Sequence, residues 1–469
     1  MRTFVFVVFV INIFLINGGA VPAVGQSTVA GAEVSGRNPR AEQNADQAEQ
    51  QTMDTRSMDM QGMGMPGMDM PPAGKSQSEP AWMPSPESGS GTEWQPASTS
   101  TPMWMKSFGA WQVMAHGVVF VDYNQQGGPR GEGKAESVNW LMLMEERKLG
   151  SGNVLFREMF SAESLTSPHP GFPELFQTGE TYHGQPLVDH QHPHNVFAEL
   201  SFDYTHPIGV LFKEKVSWEF YGAAAGEPAL GPVAFMHRAS ASELPMAPLS
   251  HHLQDSTHTS FGVINTGLII SRVKIEGSIF NGREPDEKRY TIQFAALDSW
   301  SGRLSVAASK NWTAEYSYGR LEHPESFEPG SQRRQTAAVE YVKPFARGWW
   351  ATSAVWGRVH DEFDNHNLNG YLLETTANFK LRNYAFSRME LVDKDELFPD
   401  NPALPAFRIG AYTFGGAHDL IQSHLWRLAA GADFTFYSKP SVLDTAYGRN
   451  PVSFQIFLRI RPAFTHSGH

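Results

Sequence analysis

In the segment PVSFQIFLRIRPAF, Val452, Phe454, Ile456, Leu458 and Ile460 fall on one face, and Ser453, Gln455, Arg459 and Arg461 on the other, with Phe457 among them. A period of two with a charged face is the signature of a strand, and it excludes a buried helix. The same pattern recurs along the chain. Val196, Ala198, Leu200, Phe202 and Tyr204 oppose Asn195, Glu199, Ser201 and Asp203. Tyr371, Leu373, Thr375, Ala377 and Phe379 oppose Glu374, Thr376, Asn378 and Lys380, while Trp312, Ala314, Tyr316 and Tyr318 oppose Thr313, Glu315, Ser317 and Gly319. Ten-residue alternating segments separated by turns suit a sheet with lipid on one side and a polar lumen on the other. A soluble propeller or sandwich array in the periplasm would share the alternation, but no blade-length repeat accompanies it.

The chain start fits an exported protein. MRTFVFVVFVINIFLINGGAVPAVGQ has a basic Arg2, an apolar run from Phe4 to Ile16, and small residues at Ala23-Val24-Gly25. Residues 1–25 therefore read as a secretory signal peptide, too short for a comfortable membrane helix. The chain has no Cys, which removes disulfides and thiolate metal sites in an oxidising compartment. With a formal net charge of −12 and no basic patch, nucleic acid is not an expected partner.

The expected architecture is all-β: a transmembrane antiparallel up-and-down β-barrel over residues 108–469, with about sixteen strands, in a Gram-negative cell outer membrane. The run 289–308 decides the count. Taken as one long strand protruding beyond the membrane it gives an even number; broken at Ser299 to Gly302 it gives an odd one, which bacterial single-chain barrels avoid. The turns KLGSGN, THPIG, ISR, KPFARG and KLRN then fall on the periplasmic side. The long connections 162–193, 224–257, 281–288, 322–332, 361–369, 393–404 and 437–450 fall outside. Trp349, Trp350 and Tyr384, near the periplasmic turns, suit an interfacial aromatic girdle. The chain runs past Phe464 through THSGH, a departure from barrels that end on an aromatic residue.

Two zones carry candidate chemistry. LVDHQHPHNVF supplies Asp189, His190, His192 and His194; the next long connection supplies His237, His251, His252, Asp255 and His258. The parity argument brings these loops, and FNGREPDEKRY after them, to one end of the barrel. Imidazole and carboxylate together suit Zn²⁺, Cu²⁺ or Ni²⁺. The spacings match no metal signature, and the same residues would equally pin a folded-in loop by hydrogen bonds and ion pairs. Ser256 and His258 beside Asp255 evoke a nucleophile with its base, but neighbouring strand positions do not converge into a triad.

The second zone is MDTRSMDMQGMGMPGMDM, where Met53, Met58, Met60, Met63, Met65, Met68 and Met70 sit among Asp and Gly. It lies in residues 26–107, a Ser-, Pro-, Gln- and Met-rich stretch without periodicity that reads as a disordered periplasmic arm. Thioether sulfur is a soft donor selective for Cu(I) and Ag(I), and it survives where thiols would be oxidised.

This Met-Asp-Met-Gly run ahead of a barrel resembles the N-terminal segment of outer-membrane copper resistance proteins of the copper resistance protein B type. The phrases QTGET, DHQHPHN, GEPALGP, AFMHR, DSTH and NGREPD are similar to those of an uncharacterised group of bacterial outer-membrane barrels. The first resemblance implies handling or passage of copper-type ions, with Cu(I) on the arm, no organic cofactor, and periplasmic metal-handling proteins as partners. The alternative is a porin-like small-solute channel whose arm is a linker, and an outer-membrane hydrolase ranks below both.

Overall fold

A computed structural model describes residues 83–85, 89–325, 330–401 and 403–463. The signal segment, Met53 to Met70, Phe464 and THSGH lie outside the described residues. Each long strand pairs antiparallel with the next in sequence. The first eight are Trp111–Gln125, Asn139–Leu149, Gly152–Phe160, Phe197–Leu211, Glu214–Ala225, Val263–Ile270, Val273–Phe280 and Ser299–Ser309. The second eight are Trp312–Glu322, Ser331–Phe345, Gly348–Asp361, Asn367–Phe379, Asn383–Lys394, Phe407–Gln422, Trp426–Ser438 and Val452–Pro462. The last strand returns to the first, with Val119 opposite Ile460 and Gln125 opposite Phe454. The sheet is thus a closed sixteen-strand antiparallel barrel. Closure matters physically because it leaves no edge of unpaired backbone groups. A short piece, Trp104–Phe108, occupies the remaining edge of Trp111–Gln125 in line with the last strand.

The alternation sorts side chains as the sequence implies. Along Val452–Pro462, Val452, Ile456, Leu458 and Ile460 are exposed on the outside, while Ser453, Gln455, Arg459 and Arg461 are buried within. Tyr371 and Leu373 face out where Glu374 and Thr376 face in. Exposed aromatic groups gather toward both rims. Trp312, Tyr341 and Trp350 stack near the short turns, and Tyr123, Phe434 and Phe454 near the long connections. Such an apolar belt between aromatic rims is the outer surface of a barrel that spans lipid.

Three sequence expectations change. Residues 289–298 are not strand; the strand begins at Ser299. Its neighbours end at Phe280 and Glu322, so an extension would find no backbone partner. The segment instead folds over the rim, with the backbone N–H of Val196 donating to the carbonyl of Arg289 at 2.8 Å. Sixteen strands are reached all the same, by shortening that strand rather than by letting it protrude. THPIG is not a turn either. Thr205 to Gly209 continue the strand Phe197–Leu211, and the hairpin turns at Phe212 and Lys213, both left-handed with φ of 51° and 70°. Finally, of the three girdle residues only Trp350 is exposed on the outside. Tyr384 is 2 % exposed on the inner wall, beneath the guanidinium groups of Arg459 and Arg461.

Candidate functional site

The inner wall is lined with charge, and burying unpaired charge is costly, so what fills the lumen must supply partners. Two segments do so. The first is the long connection between Glu214–Ala225 and Val263–Ile270, which turns inward instead of out. Arg238, 1 % exposed, donates from Nε to Glu374 at 2.6 Å and from Nη1 to Asp255 at 2.9 Å. The Ser240 and Ser353 hydroxyls are 2.7 Å apart, and Ser250 donates to Glu390 at 2.8 Å. Glu243 is held by Arg459 and Arg461. On the opposite side the backbone N–H of Gly231 donates to Ser317 at 2.9 Å. The loop therefore crosses the bore from wall to wall. Gly357 makes the seat: a Cβ there would stand 2.0 Å from the carbonyl oxygen of Leu253.

The second insert is the chain just upstream of the barrel. The sequence reading ran a disordered arm to residue 107, but residues 89–98 lie inside the lumen. Thr92 is gripped from four sides: its hydroxyl donates to Glu276 at 2.6 Å and accepts from Asn265 and Arg303 at 2.9 Å each, and its carbonyl accepts from Lys274. Arg303 also pairs with Glu93 at 2.6 Å. Ser98 donates its backbone N–H to the carbonyl of Lys310, at a short turn, over 2.8 Å. The two inserts touch where Ser90 donates to Glu227. Their polar composition suggested disorder because the partners sit on the barrel wall, a hundred or more residues away. Between inserts and wall remain cavities of about 10, 40 and 50 Å³. Volumes of this size suit water.

At the mouth formed by the long connections, the predicted His and Asp residues come together but play different parts. Asp189 is a clamp: its carboxylate pairs with Arg130 at 2.7 Å and accepts from the backbone N–H of Phe176 at 2.7 Å. His190 sits on the rim between the carbonyl of Val188 and Glu132. His194 faces Glu163 with Nδ1 at 2.7 Å and His258 with Nε2 at 3.1 Å. His258 turns its Nδ1 to the carbonyl of Asp255 at 2.8 Å, and His251 holds the Asp255 carboxylate at 2.6 Å. With an N–H on Nδ1 of His258, its Nε2 is an acceptor, so His194 donates across the 3.1 Å gap. Asp255 is kept well below the usual carboxylate range, against its burial, by His251 and Arg238.

His192 and His252 differ from the rest. His192 Nε2 lies 2.7 Å from Glu180, and with His252 these three present donor atoms within 4.8 Å of one another. Both nitrogens of His252 are buried without a hydrogen-bond partner. Burial, with His251 and His192 beside it, pushes the His252 imidazole well below its ordinary value, so it stays neutral. A neutral imidazole pair with one carboxylate is a donor set for a borderline divalent ion. Glu180 was not anticipated; it sits in QTGET, twelve residues ahead of His192, with no spacing signal. His237 lies apart, deeper in the lumen beside Trp140 and His116. The hydrolase idea finds no support in the geometry. Ser256 to His258 form a 3-10 turn rather than a strand, the Ser256 hydroxyl accepts from Arg334, and His258 faces a backbone carbonyl.

No family model matches the sequence, and no curated protein matches it. Among solved structures, the chain is similar to an anion-selective porin from Comamonas acidovorans at TM-score 0.46 and 10% identity, covering 75% of this chain and 99% of that one. OmpF of Salmonella typhi, in complex with daunomycin, gives TM-score 0.46 at 7% identity over 76% and 100%. The outer-membrane channel DcaP of Acinetobacter baumannii gives 0.44 at 9% over 76% and 99%.

Proposed function

We propose that the protein is a porin-like channel for small polar solutes in the outer membrane, held closed by its own inserts. The observation that carries this reading is the charge-lined lumen crossed by two tethered segments inside an apolar-belted barrel. Among the described residues, the bore is filled by the loop 226–262 and residues 89–98, with residues 173–177 packed on the inner wall at the mouth. The short turns would face the periplasm and the long connections the exterior, as in other bacterial barrels. The test is single-channel conductance in planar lipid bilayers. The full chain should show rare, small openings, and a variant with residues 89–98 replaced by a Gly-Ser linker, which removes one insert and its Ser90 contact to the loop, should open more often and more widely. A silent variant that is demonstrably folded and inserted would overturn the reading.

A second reading takes copper-type ions as the cargo. It is favoured by the position of Met53 to Met70 directly upstream, in sequence, of the segment that enters the lumen. In this reading the arm collects Cu(I) in the periplasm and exchanges it with periplasmic metal-handling proteins. Titrating a Met53–Met70 peptide with Cu(I) under reductant, against a Met-to-Leu control, tests it. Equal binding by both peptides would reduce the arm to a linker.

A further inference from the structure

The inner wall is largely polar and charged, and one of its apolar patches is rich in sulfur. On the ladder joining Trp104–Phe108, Trp111–Gln125, Asn139–Leu149 and Gly152–Phe160, directly opposed residues share a face. Met105 stands opposite Met114, and Met114 opposite Met144. In the next inward row His116 stands opposite Met142, and Met142 opposite Met159. Met114, Met142, Met144 and Met159 are each no more than 2 % exposed and pack as one cluster. The outward positions of the same strands carry Val113, Leu141 and Leu143, while the four thioethers face the lumen together with Leu155.

The polar members of the patch face the sulfurs. His116 places Nε2 3.2 Å from the Met142 sulfur. His237 descends from the inserted loop to 5.7 Å between ring centroids from His116, is 8 % exposed, and its Nε2 has no hydrogen-bond partner. The Trp140 indole meets both imidazoles edge to face, at 5.1 and 4.8 Å. Across the ladder from Met144, the charge of Arg157 is offset by Asp203 at 3.7 Å and by nearby Glu199.

We infer that this patch is a lumenal binding site for a soft monovalent ion, Cu(I) or Ag(I), with Met142, Met144, Met114 and the imidazoles of His116 and His237 as its donors. Neutral thioether and imidazole ligands suit such an ion and discriminate against Zn²⁺ held by harder donors. Unbranched Met side chains adjust to the two- to four-coordinate geometries it takes, and an adjacent indole face stabilises a bound cation. The inference goes beyond the channel reading and does not rest on the arm, because every donor lies in the barrel or its inserted loop.

The experiment uses the full-length protein in detergent with Met53, Met58, Met60, Met63, Met65, Met68 and Met70 all changed to Leu, which removes the sulfurs of the Met-rich run. Ag(I), and Cu(I) kept reduced by ascorbate, are titrated in competition with a chromophoric chelator, with Zn²⁺ as control and heat-modifiable gel migration to confirm the folded barrel. One equivalent of Ag(I) or Cu(I) that excess Zn²⁺ does not displace, accompanied by quenching of tryptophan fluorescence, is expected. Met142→Leu with Met144→Leu, near-isosteric changes, should weaken it on the order of tenfold or more, the scale set by losing ligand-shell groups. His237→Gln, on the loop and outside the wall packing, should do the same. Absence of the equivalent, or an affinity indifferent to both the paired Met change and His237→Gln, would show the patch to be apolar packing and overturn the site. The conductance test stands apart, so failure here leaves the channel reading to its own result.

Discussion

At the scale of single residues, the lumen is organised by buried ion pairs. Arg238 holds Glu374 and Asp255 together, and Glu374 also accepts from Arg388 at 3.1 Å. Arg238→Ala would leave two carboxylates facing each other in a buried site, at a cost of about 3–5 kcal/mol. Hydrogen exchange of peptides from residues 226–262 should then rise sharply, while strands on the far wall stay protected. The imidazoles at the mouth give a second prediction. Burial, with His251 and His192 beside His252 and His251 and His194 beside His258, holds both imidazoles well below the ordinary 6.5, against the opposing pull of Asp255 on His258. The released loop takes up protons near that value and the packed loop does not. Below it the open form therefore binds more protons, and the packed form loses stability as pH falls. From pH 7.5 to 5.5 the two groups together should cost roughly 2–3 kcal/mol. Exchange rates corrected for intrinsic chemistry should show the loop opening more often at pH 5.5. His252→Gln with His258→Gln should flatten that dependence, and an unchanged slope would place the proton uptake elsewhere. The sequence made these histidines visible by their density. It did not separate clamps such as Asp189 from open donors such as His252, because that difference is set by partners from other loops.

At the scale of elements, the legible and the illegible divide along one line: whether an element's order is local. The strands Val452–Pro462 and Asn367–Phe379 announce themselves because their two faces meet two different solvents. Residues 89–98 gave no such signal. GSGTEWQPAS has neither period nor apolar content, and its order comes from Glu276, Lys274 and Arg303 on the wall. The same holds for 289–298, whose alternation reads as strand until the neighbours run out. The inward loop was anticipated only as one of two ways to employ its polar residues. Its attachment can be tested directly, since the chain has no Cys to interfere. Ser240 and Ser353 place their hydroxyl oxygens 2.7 Å apart, close enough for paired cysteines to bridge. The double variant Ser240→Cys, Ser353→Cys should oxidise to a single species and keep conductance at the closed level even when residues 89–98 have been replaced. Reduction should restore the conductance of the linker variant. Free thiols after oxidation would show that the loop does not rest on that wall.

At the scale of the whole molecule, a single-residue step along a strand separates lipid from a charged interior. Leu458, at the middle of Val452–Pro462, is 45 % exposed on the outer face, and its neighbour Arg459 is fully buried on the inner one, paired with Glu243 and Asp419. The same side chain thus has opposite consequences at adjacent positions. An Arg at the bilayer midplane on the lipid face costs about 2–4 kcal/mol, falling off toward the rims. Leu458→Arg should destabilise the barrel by that amount in urea titrations in lipid vesicles, and Val452→Arg, near the long-connection rim, by no more than about 1 kcal/mol. Arg459→Leu fails for the other reason: it takes the shared guanidinium from buried Glu243 and Asp419, leaving each with one partner, Arg461 or Arg427, and should cost at least as much while leaving membrane insertion intact. A soluble barrel of identical fold would abolish the first comparison. An exposed Arg at 458 would then be solvated and nearly neutral in effect. The depth dependence of the outward substitutions therefore reads out the solvent of the outer face independently of any resemblance to known channels.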